Sequence, residues 1–243
     1  MTVQHTLRAY DEDLERLRAH VGEMAARADE ALADAVRALV ERDSALAEDV
    51  IARDRALDAM EAEGERRALQ IIALRAPVAD DLREIMAIVK IINALERVGD
   101  YAKNIAKRTT VLIGSLPDAP SQLIPVLTDE VRGMLSRVID AFIARDAEGA
   151  VAVWQADAKV DALYTSLFRE LLTYMVEKPR RITAATHLLF IAKNLERVGD
   201  QATNIAEVVY FMVKGEQLPD ERPKSDESAV ISDAADRGEN ERR

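Results

Sequence analysis

Apolar residues recur every three to four positions along most of the chain, which is the spacing of an amphipathic helix. The first such stretch ends at Arg42, and the Asp43-Ser44 pair after it is typical of a turn followed by a new helix N-cap. Pro77 cannot continue a helix, so the second stretch must end before it. The pattern predicts six long helices over Leu7–Arg42, Ala45–Leu74, Val78–Ile113, Val126–Arg145, Ala147–Val176 and Ile182–Lys214.

The helical pattern occurs twice along the chain. Three helices precede segment 114–125, which is rich in turn-forming residues and is the predicted linker, and three helices of similar length and order follow it. Because short connections favour antiparallel neighbours, we predict an all-α fold of two tandem three-helix bundles, residues 1–113 and 126–214, related by a pseudo-two-fold axis. Residues 215–243 carry nine acids, five bases and few bulky apolar side chains, which predicts a disordered acidic C-terminal tail.

The third and sixth helices share one six-residue motif. Leu-Glu-Arg-Val-Gly-Asp occupies residues 95–100 and occurs again at residues 195–200, which indicates an internal duplication. Two acids four residues apart on a helix repel each other by about 0.2–0.5 kcal/mol. A bound cation that offsets this repulsion is the leading explanation for the repeated pairs Glu96/Asp100 and Glu196/Asp200.

Each copy of the motif also contains a glycine, Gly99 or Gly199. A glycine inside a helix costs about 1 kcal/mol relative to alanine, so its presence needs a reason. We expect the close approach of a neighbouring helix at both positions. Easier access to the adjacent carboxylates is the alternative.

Acidic pairs on the second and fifth helices complete a candidate site in each bundle. Helices that pack side by side lie 8–10 Å apart, so acids on the second and third helices would line one groove, as would those on the fifth and sixth. Oxygen ligands without Cys or a repeated His suit Mg²⁺, Mn²⁺, Ca²⁺ or iron, and Zn²⁺ is less expected. The candidate metal-binding residues are Asp54, Asp58, Glu96, Asp100 and Asn104 in the first bundle and Asp157, Asp161, Glu196, Asp200 and Asn204 in the second.

Other interpretations of the acidic pairs stay open. Such pairs are common on solvated helix faces, and the chain would then be a metal-free helical scaffold. A carboxylate-bridged metalloenzyme is a further alternative. The sequence contains no HExxH, no ferritin-type ExxH, no Gly-rich phosphate loop and no GxSxG, and an open groove suits cation binding better than substrate enclosure. We therefore expect a protein without catalytic residues or an organic cofactor.

The composition of the chain indicates its cellular compartment and argues against some classes of partner. A net charge of −11 argues against binding to a phosphate backbone, so no nucleic-acid partner is expected. The absence of Cys fits a reducing cytosol, and no stretch approaches the ~20 apolar residues that span a bilayer. We expect a cytoplasmic protein that is not inserted into the membrane.

A duplicated three-helix unit with LERVGDxAxNIA ending each half resembles the PhoU family over about residues 5–215. The resemblance implies a negative regulator of phosphate uptake and of the phosphate-starvation response. It implies an adaptor between the ATPase subunit of the phosphate ABC transporter and a phosphate-responsive sensor histidine kinase. It further implies that the acidic pairs bind metal, and together with the long amphipathic faces it favours a homodimer.

Overall fold

Helices form almost all of the described part of the chain. The computed structural model describes residues 2–114 and 122–218, and within them six α-helices and one short 3₁₀ helix occur. The all-α prediction of six long helices is confirmed, and the last helix has the predicted ends. The α-helices are α1 (Thr2–Glu41), α2 (Ser44–Arg75), α3 (Asp80–Leu112), α4 (Leu123–Ala144), α5 (Ala147–Glu177) and α6 (Ile182–Lys214), and the 3₁₀ helix is Pro179–Arg181.

The first turn of each bundle has the same backbone conformation. Arg42 and Arg145 both adopt positive φ, at 60° and 52°. Asp43 and Asp146 follow them, and each carboxylate accepts a backbone N–H from the next helical turn at 3.0 Å. Both aspartates thus satisfy free N–H groups at a helix start. The turn and N-cap predicted at Asp43-Ser44 are present, with Asp43 as the capping residue.

The fourth helix begins at Leu123, three residues before its predicted start, so the last three residues of the predicted linker are helical. Pro125 is tolerated because the first N–H groups of a helix have no intrahelical partner. Ile124 is fully buried, and its burial favours the earlier start. Residues 115–121 of the predicted linker lie outside the described residues.

One continuous apolar core joins the two bundles. In the first bundle α3 packs against α1 and α2, and in the second α6 packs against α4 and α5. The bundles meet where α3 packs against α6 and α1 against α4. The apolar stripe of α3, which includes Ile85, Ile88, Ile92 and Leu95, is completely buried.

Both motif glycines lie where a neighbouring helix comes close. A Cβ added at Gly99 would overlap Leu57 Cδ1 on α2, and one added at Gly199 would lie 3.1 Å from Val160 on α5. The expected close approach is confirmed. The close approach also places the acids of α2 beside α3 and those of α5 beside α6.

An ion pair links equivalent positions of the two bundles. Arg132 on α4 is the counterpart of Asp29 on α1, 103 residues apart, and its guanidinium donates to both carboxylate oxygens at 2.7 Å. Contact between equivalent positions is expected where a pseudo-two-fold axis passes, because such an axis pairs each position with its own counterpart.

A glycine ends the last helix, and a short segment after it is still packed against the protein. Gly215, at φ 75°, caps α6, and Leu218 packs against the core, whereas residues 219–243 of the predicted tail lie outside the described residues. Of the helices in ranges 2–114 and 122–218, none is long and apolar enough to cross a membrane.

Candidate metal-binding grooves

The first acidic groove lies between α2 and α3. Asp54 is buried, Glu96 and Asp100 are half-buried, and Asp58 and Asn104 are exposed. We define the first acidic groove by its six carboxylates: Asp54, Asp58, Glu61, Glu65, Glu96 and Asp100. The α2 members occur at spacings of four, three and four residues, so they share one face of that helix, the face toward α3.

A lysine bridges the two walls of this groove. The Lys103 ammonium on α3 lies 2.5 Å from Asp54 Oδ2 on α2 and 3.2 Å from Asp100 Oδ1 on its own helix. Asp54 is only 6% exposed, so its carboxylate is held away from water. An internal positive charge therefore already neutralises the end of the groove formed by Asp54 and Asp100.

The opposite end of the first groove is crowded with negative charge. Burial and the charges of Asp100, Glu61, Asp58 and Asp54, in that order, raise the pKa of Glu96 to about 7. Burial also raises the pKa of Glu61, and the negative charges of Glu65, Asp58 and Asp100 raise it further, whereas the positive charge of Arg97 lowers it. The carboxylates of α2 and α3 are thus close enough for each helix to oppose ionisation on the other.

The second acidic groove lies between α5 and α6, and we define it by Asp157, Asp161, Glu196 and Asp200. The first three are at least nine-tenths buried, whereas Asn204 at the end of the ridge is exposed. Burial raises the pKa of Glu196, Lys193 opposes the rise, and Asp200 and Asp161 add to it. The second groove therefore has fewer carboxylates than the first, and they are more deeply buried.

One oxygen in the second groove is an orphan. Lys193 Nζ lies 2.8 Å from Glu196 Oε1, while Glu196 Oε2 is buried and has no hydrogen-bond partner. A buried carboxylate oxygen without a donor is costly, and a cation is one of the few groups that satisfies it.

The two grooves differ at several equivalent positions. Thr203 replaces Lys103, and its buried hydroxyl donates to the Asp200 carbonyl oxygen at 2.8 Å. Lys193 replaces Asn93, and its ammonium lies 5.1 Å from the ring centre of Tyr164. Tyr164 in turn replaces Glu61. The duplication has preserved the acidic pairs but not the charges around them.

The carboxylate groups are chemically suited to a hard cation, because both grooves offer only oxygen ligands. Across the described residues, however, no three Asp, Glu or His side chains surround a common point closely enough to hold an ion. The carboxylates would have to rotate inward to coordinate one. In the first groove the Lys103 ammonium lies between two of them.

Glu61, Lys103 and Lys193 were not predicted from the sequence. A spacing signal for Glu61 existed, because it lies three residues after Asp58 on the same face of α2. The internal repeat does not mark Glu61, because its counterpart in the second bundle is not acidic. The lysines could be placed only once helix pairing and rotation were known.

A large cavity lies away from both grooves. It measures about 640 Å³, near the start of α3 and the end of α6, and it contains none of the predicted metal-binding residues. Arg83 lies 5.7 Å from the centre of the Phe211 ring there, and Trp154 Nε1 donates to Glu207 at 3.1 Å. Its other lining residues are Ala79, Leu82, Met86, Ala87, Lys90, Val208, Gln217 and Leu218.

The chain is similar to a family of known proteins over both bundles. The model of the PhoU domain matches residues 21–109 and again residues 124–209. A phosphate-specific transport system accessory protein PhoU homolog from Zymomonas mobilis is 49% identical over 218 residues, which cover 90% of this chain and 92% of that protein. A homolog of the same name from Caulobacter vibrioides is 47% identical, with 92% and 97% covered.

Two solved structures are also similar. The crystal structure of PhoU from Pseudomonas aeruginosa has a TM-score of 0.82 and 36% identity, and it covers 85% of this chain and 100% of that chain. The phosphate transport system regulatory protein PhoU from Streptococcus pneumoniae has a TM-score of 0.80 and 26% identity, with 86% and 99% covered.

Proposed function

The chain belongs to the PhoU family, and from that premise we propose that it is an accessory regulator of phosphate transport. Its role is to restrain phosphate uptake and the phosphate-starvation response from the cytoplasm. The observation that carries this proposal is the extent of the likeness, which includes both bundles and nearly the full length of relatives named for that transport system.

The partners we propose are the ATPase subunit of the phosphate ABC transporter and a phosphate-responsive sensor histidine kinase. An adaptor needs exposed surface that other proteins can bury, and apolar patches often mark such surface. Leu82, Met86 and Phe211, 38–45% exposed, surround the large cavity at one end of the α3–α6 pair. At the other end Arg108 lies 4.1 Å from the centre of the half-exposed Phe190 ring.

We further propose that each acidic groove binds a divalent or iron-type cation. The all-oxygen donors, the orphan Glu196 Oε2 and the raised pKa of Glu96 support this role. When bound, the cation would supply positive charge that neutralises facing carboxylates. The residues themselves would fix α2 against α3 and α5 against α6, and so stabilise one shape of the surface that partners contact.

We also propose a homodimer, which the long amphipathic helices and the membership of the PhoU family support. Light scattering on the full chain checks this. A mass near twice the 26.9 kDa of one chain supports the dimer, and a mass of one chain at high concentration contradicts it.

Affinity capture tests the adaptor role. The tagged full chain, expressed in its own cells, is recovered from phosphate-replete and phosphate-starved cultures, and the captured proteins are identified by mass spectrometry. We expect the transporter ATPase and a sensor kinase to be enriched, in amounts that depend on phosphate. If neither is enriched in either condition, the adaptor role is wrong.

A matched pair of variants tests the surface. Met86→Glu places a charge beside the large cavity, and Val40→Glu places one at a similarly exposed apolar position on α1. We expect Met86→Glu to lower capture of one partner at least fivefold and Val40→Glu to leave it unchanged. Equal losses would show that capture does not depend on the cavity.

A further inference from the structure

We infer that the large cavity between α3 and α6 receives an amphipathic helix of a partner protein, which inserts an apolar side chain and pairs its carboxylates with Arg83 and Lys90. This inference rests on the proposed adaptor role and names the chemistry of the segment that docks. The apolar rim of the cavity, its positive charges and its difference from the other end of the α3–α6 pair support it.

Apolar side chains form the rim of the cavity. Leu82 and Met86 on α3 and Phe211 on α6 line it, and all three are partly exposed. Its volume of about 640 Å³ lies within the range of about 300–1,000 Å³ that binding sites usually have. Met86 is unbranched, so it can adapt to the shape of an inserted group. The cavity can therefore bury a bulky apolar side chain of another protein.

Two positive charges flank this rim, although the chain as a whole carries a net charge of −11. Arg83 and Lys90 line the cavity seven residues apart, so they lie on one face of α3, about 10 Å apart along its axis. Lys90 is exposed, and no carboxylate among the described residues forms an ion pair with its ammonium. Arg83 pairs with Asp80 at 3.2 Å, but that carboxylate is 78% exposed, so water weakens the pair. Both cations can therefore gain from carboxylates that a partner buries beside them.

Helices form the walls of the cavity, and this favours a helical partner segment. The backbone N–H and C=O groups in the middle of α3 and α6 are bonded within each helix. The Trp154 N–H is likewise already bonded, to Glu207 at 3.1 Å. An extended segment would find few backbone partners here, whereas a helix satisfies its own backbone groups and presents side chains three and four residues apart. The occupant we infer is therefore a helix with apolar and acidic residues on the same face.

The other end of the α3–α6 pair differs at two equivalent positions. Phe190 on α6 replaces Lys90, and Arg108 on α3 takes the place that Val208 has on α6. The Arg108 guanidinium lies 4.1 Å from the centre of the Phe190 ring, so one face of this ring is covered from within the chain. The chain thus supplies its own contact between a cation and a ring at one end, and at the other it leaves a lysine exposed beside an apolar cavity.

Site-specific photo-crosslinking in cells tests this inference. Benzoylphenylalanine, a photoreactive amino acid, replaces Met86 in the tagged full chain, and the same replacement at the exposed Val40 on α1 is the matched control. After irradiation, the linked peptides are sequenced by mass spectrometry. From residue 86 we expect peptides of the transporter ATPase or the sensor kinase in which two or more Asp or Glu residues lie within about four residues, one helical turn, of a bulky apolar residue. From residue 40 we expect no such peptide.

Charge reversal tests the role of Lys90. We expect Lys90→Glu to lower capture of the linked partner about fivefold or more, and Lys107→Glu, at an exposed position of the same helix, to change it less than about twofold. Replacement of the nearest acid of the linked peptide by lysine should restore capture by the Lys90→Glu chain and weaken capture by the unsubstituted chain. Thermal unfolding of each variant shows that the compared proteins are folded.

Several results would overturn the inference and leave the adaptor role intact. The partners may be captured while residue 86 links to none of them, links to a peptide without neighbouring acids, or links only to a second copy of this chain. Equal capture by Lys90→Glu and Lys107→Glu would also contradict the inferred charge pairing. If the unsubstituted chain captures neither the ATPase nor the kinase, the adaptor role itself is wrong, and the inference fails with it.

Discussion

Gly99 sets how closely α2 approaches the motif helix. Leu57, 3% exposed, occupies the space that a side chain at residue 99 would need. A β-branched residue there must push the two helices apart or distort Leu57, and overpacking of this kind typically costs about 1–3 kcal/mol. The same glycine therefore positions the α2 carboxylates relative to those of α3.

We expect Gly99→Val to lower the free energy of unfolding by about 2 kcal/mol, measured by urea denaturation. Gly22→Ala is the control, because nothing lies within 4 Å of a Cβ added at Gly22. Relief of the glycine penalty in a helix should raise the stability of that variant by about 0.5–1 kcal/mol. A stable Gly99→Val protein would contradict the close packing described for this position.

Glu96 gives the metal-free protein a pH dependence. Its pKa is raised from 4.5 to about 7 in the folded chain, so the folded state binds the proton more tightly than the unfolded state does. Glu96 therefore destabilises the fold progressively as pH rises from about 4.5 through 7. Because the side chain is partly exposed, we expect a contribution of about 1–2 kcal/mol at most.

Thermal unfolding with a chelator present checks this dependence. Glu96→Gln should melt at the same temperature as the unsubstituted protein at pH 5 and about 3–6 °C higher at pH 8. The exposed substitution Glu15→Gln should show no such difference. A Glu96→Gln protein that melts lower at pH 8 would contradict the charge crowding in the groove.

The acidic pairs could be predicted from the sequence because duplication marks them twice. Lys103 could not, since a lysine three residues after Asp100 is equally compatible with solvent exposure and with reaching across to α2. Its position depends on the rotation of α3 against α2, which is fixed by packing of side chains far apart in sequence. The residue pattern thus identifies the groove, whereas tertiary packing decides which of its carboxylate oxygens lie next to a lysine.

At the scale of elements, the hydrophobic period predicts all six helices because each has one apolar face. Helix ends are less certain, since propensity and burial compete there. Pro125 indicates a helix break by sequence, yet burial of the adjacent Ile124 extends α4 through it, at a position where no intrahelical N–H bond is lost.

Glu84 joins three elements through one carboxylate. It is 3% exposed, Arg18 on α1 donates to it at 2.6 Å, and Arg145 in the turn after α4 also pairs with it. We expect Glu84→Gln to lower the free energy of unfolding by about 1–3 kcal/mol, because two arginines lose their shared anion. Urea denaturation checks this against exposed Glu15→Gln, and a loss under 0.5 kcal/mol would contradict it.

At the scale of the whole molecule, the two bundles are held in one orientation by their shared core and by the Asp29–Arg132 pair. An exact two-fold repeat would place identical charges opposite each other at this point, whereas the chain has opposite charges. The pair therefore favours association of one bundle with the other over association of each bundle with a copy of itself.

A charge exchange tests this pair. Asp29→Arg should lower the free energy of unfolding by about 1 kcal/mol or more, because two arginines then face each other. The double substitution Asp29→Arg/Arg132→Asp should recover most of the loss, which a double-mutant cycle measures as coupling. Additive losses in the double variant would contradict direct pairing across the bundle interface.

We propose that this chain restrains the phosphate-starvation response. The most direct measurement is the activity of a starvation-responsive promoter in phosphate-replete cells. The gene for this chain is deleted in one strain, and it is restored in a second strain derived from the first. We predict high promoter activity in the deleted cells and low activity on restoration. A promoter that stays silent in phosphate-replete cells without the chain would contradict the account.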